Sequence, residues 1–388
     1  MLEGLFIFPF VWWGKWQARK RPLGEEYELF FLFPFYAIGG AEKVHLDIAR
    51  CFRGRKAVIF FTRHSKDQGY LEAFRETGHR LIEISTKTDN KWQYWNNLVY
   101  RGIIAGYIQQ QQKSPVVFNG QCNFAYKLSP WLGKDIAQIE LIHSLCSFSY
   151  IRLPFIEFYR QTIMISRKSI DQHLAIYRKY GVPVEWDSRI RLIQNGIPLP
   201  EQVSERAFDG QLKLLYVGRG TKEKRVHLVA AIAANCIREG LPVSLSLMGE
   251  VKGAIPQELH AFCHFVGNQS DPAIIDQVYR SADLLLITSS SEGFPLVVME
   301  AMARGLSIIG TAVGDIPLHV RDGVNGYILN QVEDENALVE EACKFIRLIL
   351  SDPPLLRQQS ANNIQYAKHN FDIRQFETNY RDLLEPYL

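Results

Sequence analysis

Two glutamates eight positions apart, Glu292 and Glu300, form the pattern in this chain best suited to chemistry. The run before them, Ala282–Thr288, is apolar enough for a buried parallel strand, and Gly293 and Pro295 punctuate a turn before a helical apolar segment begins near Leu296. Free backbone N–H groups at such a helix start favour an anion. Glu292 then lies in the loop at the carboxyl end of the strand and Glu300 about one turn into the helix, so both can face one crevice. There one carboxylate can read phosphate-side groups and the other a sugar diol. An ordinary strand-turn-helix unit with solvated glutamates would use the same residues, and spacing alone does not separate the two readings.

Two further places earlier in the chain carry candidate chemistry. Phe35-Tyr-Ala-Ile-Gly-Gly-Ala-Glu42 follows an apolar run and opens a helix; Gly39 and Gly40 let the backbone approach a ligand closely. Glu42 serves the helix start equally well. His143 ends the run Ile136–His143, at the strand edge where α/β sites form, although a lone histidine there is commonly structural. Suitably protonated, it donates to a hydroxyl or a leaving oxygen.

The elements that must position these residues alternate between short apolar runs and longer amphipathic ones, the pattern of parallel βαβ units. Strands are expected over 28–35, 56–62, 80–85, 116–119, 136–143 and 162–166, with helices over 42–52, 93–111 and 168–180. Residues 196–211, with Pro198 and Pro200 and little apolar content, make the best linker. Beyond it, strands near 213–217, 243–248, 264–266, 284–288 and 307–310 alternate with helices. The reading is an N-terminal extension (1–27), a first α/β domain (28–200), a second (201–370) and a last helix (371–388).

Glu292 to Glu300 resembles the Glu-x7-Glu signature of retaining nucleotide-sugar glycosyltransferases, glycosyltransferase family 4 in particular. Gly305–Pro317 and Val320–Leu329 are similar to that family's strand, glycine turn and closing hairpin. Leu214-Leu-Tyr-Val-Gly-Arg-Gly-Thr-Lys-Glu-Lys224 is similar to its first nucleotide-domain strand with the diphosphate-binding Arg and Lys, here Arg219 and Lys224. The resemblance covers about residues 28–388 and is strongest from 213 to 329.

It implies two Rossmann-like domains facing across a cleft, the GT-B architecture, and transfer of a sugar from a nucleoside diphosphate to an acceptor hydroxyl with retained anomeric configuration. In that picture Glu292 holds the transferred sugar, helped by main-chain groups of Gly293, Phe294, Pro295 and Leu296, and Glu300 binds the ribose diol. Gly39 and Gly40 reach toward the donor diphosphate, and His143 contacts the transferred sugar. Arg219 and Lys224 offer fixed positive charge where the leaving diphosphate gathers negative charge, Arg as a planar fork and Lys as a point charge. A pair of solvated residues at a helix entry is the plainer alternative. Departures from the family pattern are Asp315 at a usual glycine, Leu318 at a common acidic position, Pro198 where Asp is frequent, and Ser144 after the histidine. They leave donor base and sugar open.

A two-carboxylate glycosidase is a weaker reading of Glu292 and Glu300, given the glycine loops and Arg219 with Lys224. A sugar-nucleotide epimerase of the same fold would convert donor without acceptor, and a silent assembly component would bind nucleotide without turnover. No Asp-x-Asp motif precedes the cleft elements, and Glu333-Asp-Glu335 reads as a helix start, so neither a catalytic metal nor a cofactor is expected beyond the nucleotide-sugar donor.

At 388 residues, with Lys+Arg 44 against Asp+Glu 41 and a net charge of +3, the chain is large enough for two cores and too balanced to argue for nucleic acid. Six scattered cysteines, without a Cys-x-x-Cys pair, suit a reducing, cytoplasmic compartment. The prefix is the anomaly: Leu5–Trp13 is almost wholly apolar, and residues 15–21 are basic without an acid. It is too short to span a bilayer and lacks the order of a secretory signal. The two expectations for residues 5–21 are aromatic insertion and basic attraction at an anionic membrane surface, or an added strand on the first sheet. A membrane surface would favour a lipid-linked or surface-polysaccharide acceptor over a soluble saccharide.

Overall fold

The computed structural model describes residues 2–203 and 208–388; side chains of residues 2–5 and of position 91 are likewise outside the description. The expected linker 196–211 therefore includes four positions, 204–207, that lie outside the described residues. The chain divides into two compact units, residues 1–194 with 377–388, and residues 195–376.

Among the described residues the first unit is built on seven strands: β1 Leu29–Phe33, β2 Ala57–Phe61, β3 Arg80–Glu83, β4 Val116–Asn119, β5 Ala137–Ile142, β6 Gln161–Met164 and β7 Ile190–Leu192. Their order is β3-β2-β1-β4-β5-β6-β7 and every pairing is parallel. The continuous apolar runs Leu-Phe-Phe-Leu-Phe of β1 and Ala-Val-Ile-Phe-Phe of β2 are buried at every position, as a sheet covered on both faces requires. Strand β7 was not anticipated; three residues, Ile-Arg-Leu, are too short to show a period.

The added-strand expectation for the prefix is wrong. Residues Leu2–Lys20 form a helix, α1, despite Pro9 in its interior. It packs against the helix Tyr94–Gln109 through small residues: a Cβ on Gly14 would lie 2.1 Å from the Val99 carbonyl oxygen, one on Gly102 2.0 Å from that of Val11, and one on Gly106 2.6 Å from the Ala18 Cβ. Only glycine permits backbones this close. The helix also carries exposed Phe6, Phe8, Trp12, Trp13 and Trp16.

The second unit has six strands among the described residues, β8 Leu212–Val217, β9 Val243–Met248, β10 His264–Gly267, β11 Leu284–Ile287, β12 Ser307–Thr311 and β13 Gly326–Leu329. They are parallel throughout, in the order β10-β9-β8-β11-β12-β13. The closing hairpin expected over 320–329 is instead a tight loop into a parallel edge strand, because β13 pairs in parallel with β12. Asp322 accepts from the Ile328 N–H and Asn325 from the Arg321 N–H, which holds that loop in place. Asp334 caps the helix Glu335–Ser351 by accepting from the Ala337 N–H. The last helix, Ile373–Leu384, crosses the division between the units, and its residues from Glu377 on belong to the first.

Candidate active site

In the second unit the candidate residues gather at the carboxyl ends of β8 and β11, the edge where open parallel sheets bind ligands. The loop after β8 runs through Gly218 and Arg219 into a short turn, Lys222–Lys224, before the helix Val226–Arg238. Gly218 (φ +156°) and Gly249 (φ +130°) bring two strand ends together; a Cβ on Gly249 would sit 1.9 Å from the Gly218 carbonyl oxygen. Lys224 Nζ lies 2.5 Å from Glu292 Oε1, and Glu292 is largely buried. The structure thus pairs two residues whose roles were assigned separately from sequence. Arg219 stays exposed, while its carbonyl oxygen accepts from the Tyr216 hydroxyl at 2.9 Å.

Arg225, which sequence reasoning passed over, joins the two loops. It adopts a left-handed conformation (φ 46°) and donates from Nε to the Thr288 carbonyl at 2.8 Å and from Nη1 to the Val332 carbonyl at 2.7 Å. Thr288 returns its hydroxyl to the Lys224 and Arg225 carbonyls, and the Ser290 N–H donates to the Glu223 carbonyl. The Lys224–Glu292 pair is therefore set on a rigid support. In sequence, Arg225 is one more cation in a Lys-Glu-Lys-Arg run, and nothing there marks its reversed φ.

The turn after Glu292 is fixed from beneath. Phe294 is buried and stacks on His319 with ring centroids 4.1 Å apart, so its side chain is core and only its main chain is open to a ligand role. Gly314 (φ +58°) makes room for the Gly293 carbonyl, which a Cβ there would meet at 2.0 Å, and the Asp315 N–H donates to that carbonyl at 2.8 Å. Asp315, at a position where a glycine was expected, is buried; desolvation lowers the pKa of His319, and the Asp315 charge works against that shift. Leu318 is exposed. Pro295 leads into the helix Leu296–Ala303, whose start carries no side-chain cap. Its first N–H groups are satisfied from outside the helix or not at all. Glu300 accepts from the buried Tyr279 hydroxyl at 2.7 Å, which orients its carboxylate. Tyr279 was also missed; it lies on another helix, with no sequence cue to the pairing.

In the first unit, Gly39 and Gly40 stand at the start of α2, Gly40–Cys51, with Gly39 in extended backbone. His143 follows β5 and is half-buried. Its N–H donates to Gln121 Oε1 at 3.0 Å, and Gln121 holds φ +55°. Its Nε2 lies 3.0 Å from Nε2 of His45, a buried residue of α2, so the glycine-loop helix and the histidine strand meet directly. Desolvation pushes the His143 pKa down to about 4 and that of His45 well below its ordinary value. Both rings are neutral near pH 7, so the His143 ring offers a neutral N–H or lone pair there and not an imidazolium. The segment after His143 is anchored by Glu140 on β5 and Arg152, both fully buried; Arg152 Nε donates to Glu140 Oε2 at 3.0 Å and Thr162 to Oε1 at 2.7 Å.

Among the described residues no cluster of three or more His, Cys, Asp or Glu side chains has the arrangement of a metal site, and no helix is long and apolar enough to cross a membrane. All six cysteines are free thiols.

Two parallel-sheet α/β units with these strand orders give the fold of the GT-B glycosyltransferases. Residues 200–368, which lie within the second unit, match the family model described as glycosyl transferases group 1. The D-inositol 3-phosphate glycosyltransferase of Segniliparus rotundus is 30% identical over 162 residues, 39% of this chain and 35% of that protein. The N-acetyl-alpha-D-glucosaminyl L-malate synthase of Bacillus anthracis is 30% identical over 182 residues, 44% of this chain and 45% of that one. The matches thus span less than half the length of these curated relatives. Among solved structures, Anabaena HepE in complex with UDP and glucose superposes with a TM-score of 0.73 at 16% identity, covering 93% of this chain and 100% of that one. The apo lipopolysaccharide outer core galactosyltransferase WaaB gives 0.69 at 17% identity over 92% and 99%.

Proposed function

We propose that this protein is a retaining glycosyltransferase that moves a sugar from a nucleoside-diphosphate sugar to an acceptor hydroxyl. The observation that carries the reading is the Lys224–Glu292 pair, 2.5 Å apart and supported by Arg225, inside the segment that matches the glycosyl transferase model. Lys224 and Arg219 face the charge that develops on the leaving diphosphate, where fixed positive groups contribute most to the rate. Glu292 accepts from hydroxyls of the transferred sugar, and the main-chain N–H groups of Gly293, Phe294 and Leu296 supply donors that Pro295 cannot. Glu300, oriented by Tyr279, is presented to the ribose diol. The anomeric carbon–oxygen bond to the diphosphate breaks as the acceptor oxygen bonds to the same face. The acceptor proton passes to a leaving phosphate oxygen, so no protein nucleophile is required.

The donor to test first is a UDP-sugar, because HepE was solved with UDP and with UDP-glucose. Acceptor-dependent release of UDP, with an axial product linkage from an axial donor by NMR, supports the reading; conversion of donor without acceptor supports an epimerase.

The product is proposed to belong to a surface polysaccharide or glycolipid, made at the cytoplasmic face of a membrane. The support is α1, fixed to the first unit through its small residues while presenting Phe6, Phe8, Trp12, Trp13 and Trp16 beside Lys20 and Arg21. Trp12→Ser with Trp13→Ser in the full chain should lower co-sedimentation with anionic liposomes several-fold; unchanged binding would remove the membrane role.

A further inference from the structure

We propose that His45 is a positioning residue that holds His143 in the tautomer bearing its proton on Nδ1, so that the nitrogen offered to the substrate is a hydrogen-bond donor. This rests on the reading of His143 as a residue that meets the transferred sugar.

Two neutral imidazoles joined Nε2 to Nε2 at 3.0 Å must divide the roles: one nitrogen carries the proton, and the other presents its lone pair. The direction is set by the far side of His45. Its Nδ1 is buried and has no hydrogen-bond partner among the described residues. A buried N–H without an acceptor is among the rarest features of folded proteins, whereas a buried lone pair without a donor is tolerated more often. The His45 proton therefore resides on Nε2 and points at His143. The Nε2 of His143 is then the acceptor, and its single proton sits on Nδ1.

The geometry holds His45 to this task. Its ring stacks on Phe33 of β1 with centroids 4.5 Å apart and planes 7° apart. Gly120 closes the other approach, since a Cβ there would lie 2.6 Å from His45 Nε2. The His143 ring meets it with planes 65° apart, an angle that accommodates an N–H to lone-pair contact. On the main-chain side, the Gln121 amide oxygen accepts from the His143 N–H, which leaves the ring as the movable part. Burial keeps both rings uncharged, so the assignment holds across the neutral pH range. An Nδ1–H on His143 selects an oxygen acceptor on the substrate, a sugar hydroxyl or a phosphoryl oxygen.

The test uses the full chain labelled with 15N-histidine. The expected spectrum at pH 7.5 has His143 Nδ1 protonated and Nε2 unprotonated, with His45 of the opposite tautomer. His45→Leu should mix or reverse the His143 tautomers and lower kcat with UDP-glucose roughly tenfold, with donor KM little changed. His45→Gln, whose amide still donates from a similar place, should restore the tautomer and most of kcat. A wild-type His143 protonated on Nε2, or a His45→Leu variant that keeps the Nδ1–H form, overturns the positioning claim. Wild-type turnover in His143→Asn instead removes His143 from the reaction, and with it the functional half of the proposal, while the tautomer result stands separately.

Discussion

The two sheets end in edges of opposite character. At the second unit's edge, charge is arranged in the open: Arg219 is exposed, and Lys224 and Glu292 form a partly buried pair on the support of Arg225. At the first unit's edge a glycine pair and two uncharged histidines stand beside a single acid, Glu42 in the first turn of α2, and the Glu140–Arg152 ion pair is sealed in the interior. Under the proposed function, the charged leaving group is assigned to the second unit's edge alone. A fixed charge at an accessible edge can act on a diphosphate, whereas a charge pair at full burial can only define the fold.

Breaking the sealed pair should have the largest effect. Glu140→Ala leaves the Arg152 guanidinium buried without its partner and is expected to cost about 3–5 kcal/mol of stability. Urea unfolding should show that loss in the first unit's transition; a stable variant with impaired turnover would mean the pair serves the site directly. Lys224→Ala is expected to fold normally and lose roughly 10²–10³ in kcat, the scale of one missing electrostatic donor. Stopped assays at saturating donor measure it. Tyr279→Phe removes the hydrogen bond that orients Glu300 and should raise donor KM about fivefold, near 1 kcal/mol, with kcat almost unchanged.

The smallest effect concerns pH. The His143 pKa falls from 6.5 in the unfolded chain to about 4 in the folded one, so below pH 6.5 the unfolded state binds the extra proton. Stability is thus complete above about 6.5 and declines as pH falls toward 4. Between pH 7 and 6 the loss is under about 1 kcal/mol. Melting curves of wild type and His143→Asn should diverge over this window, the variant giving the flatter profile; parallel curves would place the buried-histidine effect elsewhere.

The same contrast governs what could be read from sequence. Apolar runs such as Leu29–Phe33 and Leu284–Ile287 announce buried strands, and eleven of the thirteen strands among the described residues were expected within a residue or two. The exceptions are short or context-dependent: β7 has three residues, and β13 is assigned by its parallel partner β12. The prefix misled because aromatic residues and Pro9 argue against a helix, while the close fit of Gly14 to Gly102 and Val99 that supports one joins residues far apart in sequence. Glu292, Glu300, Arg219 and Lys224 were legible as candidates because motif spacing is local. His45, Arg225 and Tyr279 were not, since each acts by a contact across at least 21 positions.

Sugar transfer from a nucleoside diphosphate through the Lys224–Glu292 edge is tested by measuring nucleoside-diphosphate release from UDP-, GDP- and ADP-sugars. The assays run with and without lipid-linked and simple saccharide acceptors, in wild type, Glu292→Gln and Lys224→Ala. The expected result is release from one donor class that depends on acceptor, yields a glycosylated product by mass spectrometry, and drops at least about a hundredfold in both variants. Equal release by wild type and both variants, or no binding of any donor by the wild type, would contradict it.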